Sequence, residues 1–141
     1  MNALDNPKFL LNNKTVQTIY GRNLLHELNM IIPNKTLIVT MEDLWNNLSN
    51  FFKKNTQVHF VKNLDINTLE NEYEKIKDFD AVVGIGGGQA LDTAKFISWK
   101  SNKKLFLVPT SMSVNAAFGQ RFAARIDGNI NYIGWTVPEA V

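Results

Sequence analysis

This sequence of 141 residues contains no cysteine, and it has little excess of either charge. Without cysteine the chain has no disulfide, no thiolate zinc site and no cysteine nucleophile. Lysine and arginine number 15 against 13 aspartates and glutamates, which gives a formal charge of +2. This balance lacks the basic excess typical of nucleic-acid-binding domains, so we expect no nucleic-acid partner.

Long hydrophobic runs are missing as well. No apolar stretch approaches the roughly 20 residues that a helix needs to cross a bilayer. Residues 1–7 lack the basic and then apolar regions of a secretory signal peptide. We therefore expect a soluble, cytoplasmic protein with no membrane partner.

The composition is that of one ordinary globular domain, with 45% hydrophobic and 20% charged residues. Short β-branched runs alternate with segments of helical periodicity, which predicts βαβ units in a doubly wound α/β fold. The run at 36–40 is apolar enough to be buried on both faces and is predicted to be central in the sheet. Strands are predicted at 14–20, 36–40, 57–61, from 81 and at 105–108, and helices at 23–30, 42–54, 65–78 and 89–99.

A β-hairpin is predicted near residue 127. Asp127-Gly128 is a strong signal for a two-residue turn. By the two-residue period of a strand, Arg121 and Arg125 share a face, where they either meet a phosphate or pair with acids. The predicted hairpin strands are residues 121–125 and 130–135.

A run of three glycines, Gly86-Gly87-Gly88, separates the strand that begins at 81 from the next helix. Glycine permits positive φ and close approach of a ligand to the backbone, and the helix would aim its first N–H groups at one point. We expect Asp92 in the first turn of that helix. The pattern suits a phosphate site and equally a plain βα turn, and it fits neither GxGxxG nor the Walker motif.

Ligands of such sheets bind at the carboxyl ends of the strands. Three loops lie there, after Val39, Val83 and Val108. The third loop, residues 109–116, offers several hydroxyl groups and an amide beside the glycine run.

The glycine run with its helix and the loop at residues 109–116 together resemble the motifs of the iron-containing alcohol dehydrogenase superfamily. Its glycerol dehydrogenase and glycerol-1-phosphate dehydrogenase branches are the most similar. The resemblance implies a Rossmann-like, mostly parallel sheet with a C-terminal β-hairpin arm. It also implies that residues 1–141 are a dinucleotide-binding domain without the family's helical second domain. The residues that carry it are Gly86-Gly87-Gly88, Asp92, Ala94-Lys95, Val108-Pro109-Thr110-Ser111 and Ser113-Val114-Asn115-Ala116.

The activity implied by this resemblance is reversible hydride transfer between a small polyol or polyol phosphate and NAD or NADP. A divalent metal, Zn or Fe, would be held by the missing domain, so the chain alone is expected to be inactive. His26 and His59 do not match the family's metal ligands, and neither has a second ligand at metal spacing, so we expect structural or surface roles for them. No catalytic residue and no metal ligand is expected in this chain.

Matching position by position gives the implied site. Gly87 and Gly88 would carry the pyrophosphate, and the arm from Gly119 to Arg125 would lie along the nicotinamide. Asn115 would face the substrate, where the family usually has an aspartate. The full implied cofactor set is Gly86, Gly87, Gly88, Asp92, Thr110, Ser113, Gly119, Arg121 and Arg125.

Two alternatives stay open at this point. The superfamily also contains dehydroquinate synthase and related sugar-phosphate cyclases, which use the same cofactor domain. The second alternative is that the chain is a non-catalytic dinucleotide-binding fragment. We also expect an exposed apolar patch and self-association into a homo-oligomer. The patch is predicted from Phe118, Phe122, Ile130, Tyr132, Ile133 and Trp135.

Overall fold

The computed structural model describes residues 16–111 and 115–141. Strands and helices alternate along the first part and a hairpin follows, as predicted. The elements are α1 (Leu24–Ile31), β1 (Thr36–Thr40), α2 (Glu42–Leu48), β2 (Gln57–Phe60), α3 (Ile66–Glu74), β3 (Ala81–Gly86), α4 (Gly88–Ser101), β4 (Lys104–Pro109), β5 (Phe122–Ile126) and β6 (Asn129–Ile133), with 3₁₀ turns at Ser49–Phe51 and Asn115–Ala117.

Strands β1 to β4 form one parallel sheet in the order β2-β1-β3-β4. Strand β1 is buried along its whole length and lies inside the sheet, which confirms its predicted central position. Successive side chains of a strand point to opposite faces. Leu37 and Val39 pack with α3 and α4, whereas Ile38 packs with α1 and α2. Helices therefore cover both faces, and the predicted α/β class is confirmed.

The glycines at the end of β3 let α4 pack directly on the strand. A Cβ added at Gly84 would lie 2.6 Å from the Cβ of Ala94, and one added at Gly86 would lie 2.9 Å from the Cβ of Ala90. Gly86 also has a φ of 146°, a backbone angle that residues with a side chain rarely adopt. These contacts fix the start of α4 against the carboxyl end of the sheet.

Strands β5 and β6 form an antiparallel hairpin that is separate from the main sheet. Its turn is Asp127-Gly128, both with positive φ, which confirms the predicted turn. Phe122 is fully buried, and its ring meets that of Phe96 on α4 edge to face at 5.6 Å. The backbone N–H of Arg125 donates to the oxygen of Leu64 at 2.7 Å. The hairpin is thus packed on α4 and the start of α3.

Three predicted elements are wrong in extent. Within the described part of residues 14–20, only Gln17 forms a β-bridge, to Ala140. Its backbone hydrogen bonds, together with one from Ile19, reach only Glu139 and Val141, so the pairing is too short for a full strand. Helix α2 ends at Leu48 rather than residue 54, and α3 ends at Glu74 rather than residue 78. Asparagine and serine around residue 48 compete for backbone hydrogen bonds, which weakens the helix there.

The predicted apolar patch is smaller than expected. Phe122 belongs to the core, and Ile133 and Trp135 are half-buried. Only three members of the set are exposed: Phe118, Ile130 and Tyr132. The expected self-association stays a prediction. In the described residues, no helix combines the length and apolar character needed to cross a membrane.

Candidate functional site

A cleft of about 670 Å³ lies between the start of α4 and the hairpin. It opens beside the carboxyl end of β3, where ligands of parallel sheets bind. The walls combine backbone of the glycine turn with polar and aromatic side chains. The lining residues are Leu64, Gly88, Gln89, Asp92, Ala116, Gly119, Gln120, Arg121, Tyr132 and Trp135.

The glycine turn forms one wall of this cleft. Strand β3 ends at Gly86 and α4 begins at Gly88, with Gly87 extended between them at a φ of −82°. The N-cap residue is Gly87, which has no side chain to accept from the first N–H groups of the helix. Among the residues that the structure describes, none would come within 4 Å of a Cβ added at Gly87. The turn therefore leaves open space beside the positive end of a helix, which suits a phosphate group.

Asp92 lies in the second turn of α4, so its predicted place in the first turn is wrong. The helix begins at Gly88 and carries no acid in its first turn. Asp92 instead lies 3.8 Å from the Nζ of Lys95, and the backbone N–H of Ala123 donates to its carboxylate. Burial raises the pKa of Asp92 to about 6, against the opposing effects of Lys95 and that hydrogen bond. Asp92 thus lines the cleft and also bonds to the hairpin.

Lys95 is fully buried behind the cleft. Its Nζ donates a hydrogen bond to the backbone oxygen of Arg121 at 3.2 Å. Burial lowers the pKa of Lys95, and the neighbouring Asp92 opposes that shift. The spacing of three residues between Asp92 and Lys95 predicts that the two share a helix face, but it does not predict the burial of Lys95.

Arg121 and Trp135 form the opposite wall. The Cζ of Arg121 lies 4.6 Å from the centre of the Trp135 ring, a cation–π geometry. The Nε of Arg121 and the Nε1 of Trp135 are buried, and neither has a hydrogen-bond partner in the described part of the chain. Buried donors normally have a hydrogen-bond acceptor, so two unsatisfied donors in one cleft indicate a place where a ligand acceptor would bind. Trp135 was assigned to the apolar patch because sequence cannot show this pairing.

The structure brings together part of the implied cofactor set. Gly88, Asp92, Gly119 and Arg121 all line the cleft, and Gly87 adjoins it. Arg125 does not line it, because Arg121 precedes β5 whereas Arg125 is exposed on that strand.

The remaining assignments lie beside the cleft or outside the description. The backbone N–H of Thr110 donates to the oxygen of Gly86 at 3.0 Å, so Thr110 lies next to the glycine turn without lining the cleft. Ser113 lies outside the described residues. Asn115 begins the 3₁₀ turn Asn115–Ala117, whose Ala116 is a lining residue.

The described residues bring together no group of three or more His, Cys, Asp or Glu side chains that would hold a metal ion. His26 is exposed on α1. His59 is half-buried on β2, and burial lowers its pKa while Glu72 opposes the shift. Neither position contradicts the ordinary roles expected for these histidines.

Comparisons with known proteins agree with this architecture. A family model described as iron-containing alcohol dehydrogenase matches residues 11–141. Glycerol-1-phosphate dehydrogenase [NAD(P)+] of Methanococcus aeolicus is 33% identical over 97 residues, which are 66% of this chain and 27% of that relative. Glycerol dehydrogenase of Thermotoga maritima is 38% identical over 73 residues, 48% of this chain and 20% of that relative.

Among solved structures, glycerol dehydrogenase from Schizosaccharomyces pombe superposes with a TM-score of 0.74 at 18% identity. The match covers 91% of this chain and 38% of that one. The chain therefore spans less than two fifths of each of these three proteins.

Proposed function

The chain belongs to the iron-containing alcohol dehydrogenase family, and we propose on that basis that it binds NAD or NADP for a dehydrogenase of a small polyol or polyol phosphate. The observation that carries this proposal is the cleft at the carboxyl end of β3, with its open glycine turn. Similarity to glycerol and glycerol-1-phosphate dehydrogenases supports the substrate class.

A dinucleotide fits the residues of this cleft. The space beside Gly87 admits a phosphate to the start of α4, where a side chain would block it. On the other wall, the buried Nε of Arg121 and Nε1 of Trp135 offer donors that the described residues leave unsatisfied. The bound nicotinamide would accept or return hydride, and this chain's residues would bind and orient it.

The part of the chain that the structure describes has no cluster for a Zn or Fe ion. We therefore propose that the 141-residue chain binds dinucleotide without turning over substrate. A steady-state assay with divalent metal, NAD and either glycerol or glycerol 1-phosphate checks this. Reduction of NAD at a measurable rate would contradict it.

The experiment that tests dinucleotide binding compares wild type with Gly87→Val by calorimetric titration with NADH. Gly87 has an ordinary negative φ, and a Cβ added there meets no described atom within 4 Å, so we expect valine to be accommodated while it fills the approach to the helix. We expect NADH affinity to fall by at least about tenfold, the loss of roughly one phosphate hydrogen bond to the backbone. The melting temperature should stay unchanged.

Gly128→Asn is the matched control, since Gly128 lies in the hairpin turn with open space around it and does not line the cleft. Asparagine tolerates its positive φ. We expect this variant to bind NADH as wild type does. Equal affinity in Gly87→Val and wild type would remove the glycine turn from the site.

A further inference from the structure

The wall formed by Arg121 and Trp135 carries a positive charge that no acid of the described residues pairs with. None of the ion pairs in the described part of the chain involves Arg121. Its guanidinium lies against the Trp135 ring, and each of the two side chains keeps a buried donor that no described residue accepts from. The two donors and the charge belong to the same cleft.

The backbone holds this wall in a fixed position. The Nζ of Lys95 donates to the oxygen of Arg121, and the N–H of Thr136 donates to the oxygen of Gln120 at 2.9 Å. Gly134, just before Trp135, has a φ of 70° and packs so closely on Phe122 that a Cβ would overlap its ring. The wall is thus built before any ligand arrives, which reduces the entropy lost on binding.

Asp92, the one acid among the described residues that line the cleft, does not neutralise Arg121. Asp92 lies 3.8 Å from Lys95, and none of the ion pairs among the described residues joins it to Arg121. The charges of Asp92 and Lys95 offset one another, so Arg121 supplies the net charge of the cleft. A guanidinium in that position attracts an anionic ligand rather than a neutral or cationic one.

We propose that Arg121, held on the Trp135 ring, binds a phosphate group of the ligand in this cleft. The planar guanidinium donates two parallel hydrogen bonds to phosphate oxygens, which an ammonium group cannot do with the same geometry. The phosphate belongs either to the dinucleotide or to a phosphorylated polyol. The anion site stands on Arg121 and Trp135, and only the identity of the ligand rests on the proposed function.

The test compares Arg121→Met with Arg125→Met in the 141-residue chain. Both arginines belong to the hairpin segment, but Arg125 is exposed and does not line the cleft. NADH and glycerol 1-phosphate are titrated by calorimetry, and inorganic phosphate is followed by ³¹P line broadening. We expect Arg121→Met to weaken a phosphate ligand by about 10- to 100-fold, as for the loss of charged hydrogen bonds, and Arg125→Met by less than about twofold.

The two phosphate sources give different results. Weaker NADH binding in Arg121→Met, with phosphate competing against NADH in wild type, assigns Arg121 to the dinucleotide. Unchanged NADH affinity with weaker glycerol 1-phosphate binding assigns it to the substrate. Glycerol, which has no phosphate, should bind both variants equally.

Equal binding of NADH, glycerol 1-phosphate and inorganic phosphate by Arg121→Met and Arg125→Met would overturn the proposal. If wild type binds inorganic phosphate through Arg121 but does not bind NADH, the anion site holds and the proposed function fails. Arg121→Lys keeps the charge without the planar fork, so we expect an intermediate loss. That variant provides the test should Arg121→Met fail to fold.

Discussion

Lys95 on α4 and Arg121 beside β5 are joined by a hydrogen bond of 3.2 Å, from a fully buried Nζ to a backbone oxygen. The two residues come from the two walls of the cleft. One wall ends in the glycine turn and the other carries the Trp135 ring. The bond therefore fixes the separation of the groups that would contact the two ends of a ligand.

Lys95→Met should lower the free energy of unfolding by about 3 kcal/mol, because it leaves the buried carboxylate of Asp92 without its cationic partner. Urea unfolding followed by circular dichroism measures this. Lys100→Met is the matched control on the same helix, since its ion pair with Glu70 at 2.8 Å is exposed and worth about 0–1 kcal/mol. Equal losses in the two variants would show that the buried bond does not hold the hairpin.

The pH dependence of stability should reveal Asp92. Its folded pKa is about 6, whereas an unfolded aspartate titrates near ~3.9. As pH rises between these values, the unfolded carboxyl loses its proton first, so unfolding becomes easier. From pH 3.5 to 7, wild type should lose about 2–3 kcal/mol relative to Asp92→Asn.

Folded Asp92 is protonated below its pKa of about 6, so Asp92→Asn removes a counter-charge of Lys95 only toward the upper end of that pH range. The slope against pH, not the absolute stability, is therefore the test. Glu72 gives the opposite sign, because hydrogen bonds from Lys75 and Lys62 lower its pKa to about 2. Wild type should lose stability relative to Glu72→Gln as the pH falls from about 4.5 to 2. A flat difference for Asp92→Asn would contradict the raised pKa.

Alanine at two neighbouring glycines should have different effects. At Gly84 the new Cβ would lie 2.6 Å from that of Ala94, so Gly84→Ala should destabilise by about 1–3 kcal/mol through overpacking. At Gly87 the new Cβ meets no atom of the described residues within 4 Å, and Gly87→Ala should be neutral or slightly stabilising. Thermal unfolding of both variants checks this. A loss at Gly87 as large as at Gly84 would mean that the turn is not open.

The start of α3 depends on Asp65. Its Oδ1 accepts hydrogen bonds from the N–H groups of Asn67 at 3.0 Å and Thr68 at 3.2 Å. Asp65→Ala should lower the free energy of unfolding by about 1 kcal/mol, the usual effect of losing such a cap. Asp78→Ala is the control, because its ion pair with Lys35 is exposed. The two variants are compared by urea unfolding, and indistinguishable midpoints would argue against the cap.

Local patterns were sufficient to predict the sheet and the hairpin turn. The apolar run at Thr36–Thr40 indicates burial on both faces, and Asp127-Gly128 supplies the positive φ that a two-residue turn needs. Helix ends were harder to predict. Helix α2 stops at Leu48 because several asparagine and serine side chains disfavour it, although its apolar spacing continues to Phe52.

The site was predicted only in part, because its two walls come from distant segments. Gly88 and Asp92 follow from the motif, and Arg121 follows from the resemblance. The burial of Lys95 and the contact of Arg121 with Trp135 arise from how the hairpin docks on α4, which no local pattern encodes. Likewise, a two-residue period placed Arg125 with Arg121, but β5 begins only at Phe122.

Ala140 pairs with Gln17 on one side and with Phe106 of β4 on the other. Joining residues 17 and 140 closes a loop of nearly the whole described chain, and the entropy cost of closure grows with loop length. Such distant pairings form late in folding. We expect the edge formed by residues 17–19 and 139–141 to assemble after the four-stranded sheet and to open first. The amides of Ile19 and Val141 should therefore exchange hydrogen faster than those of β3.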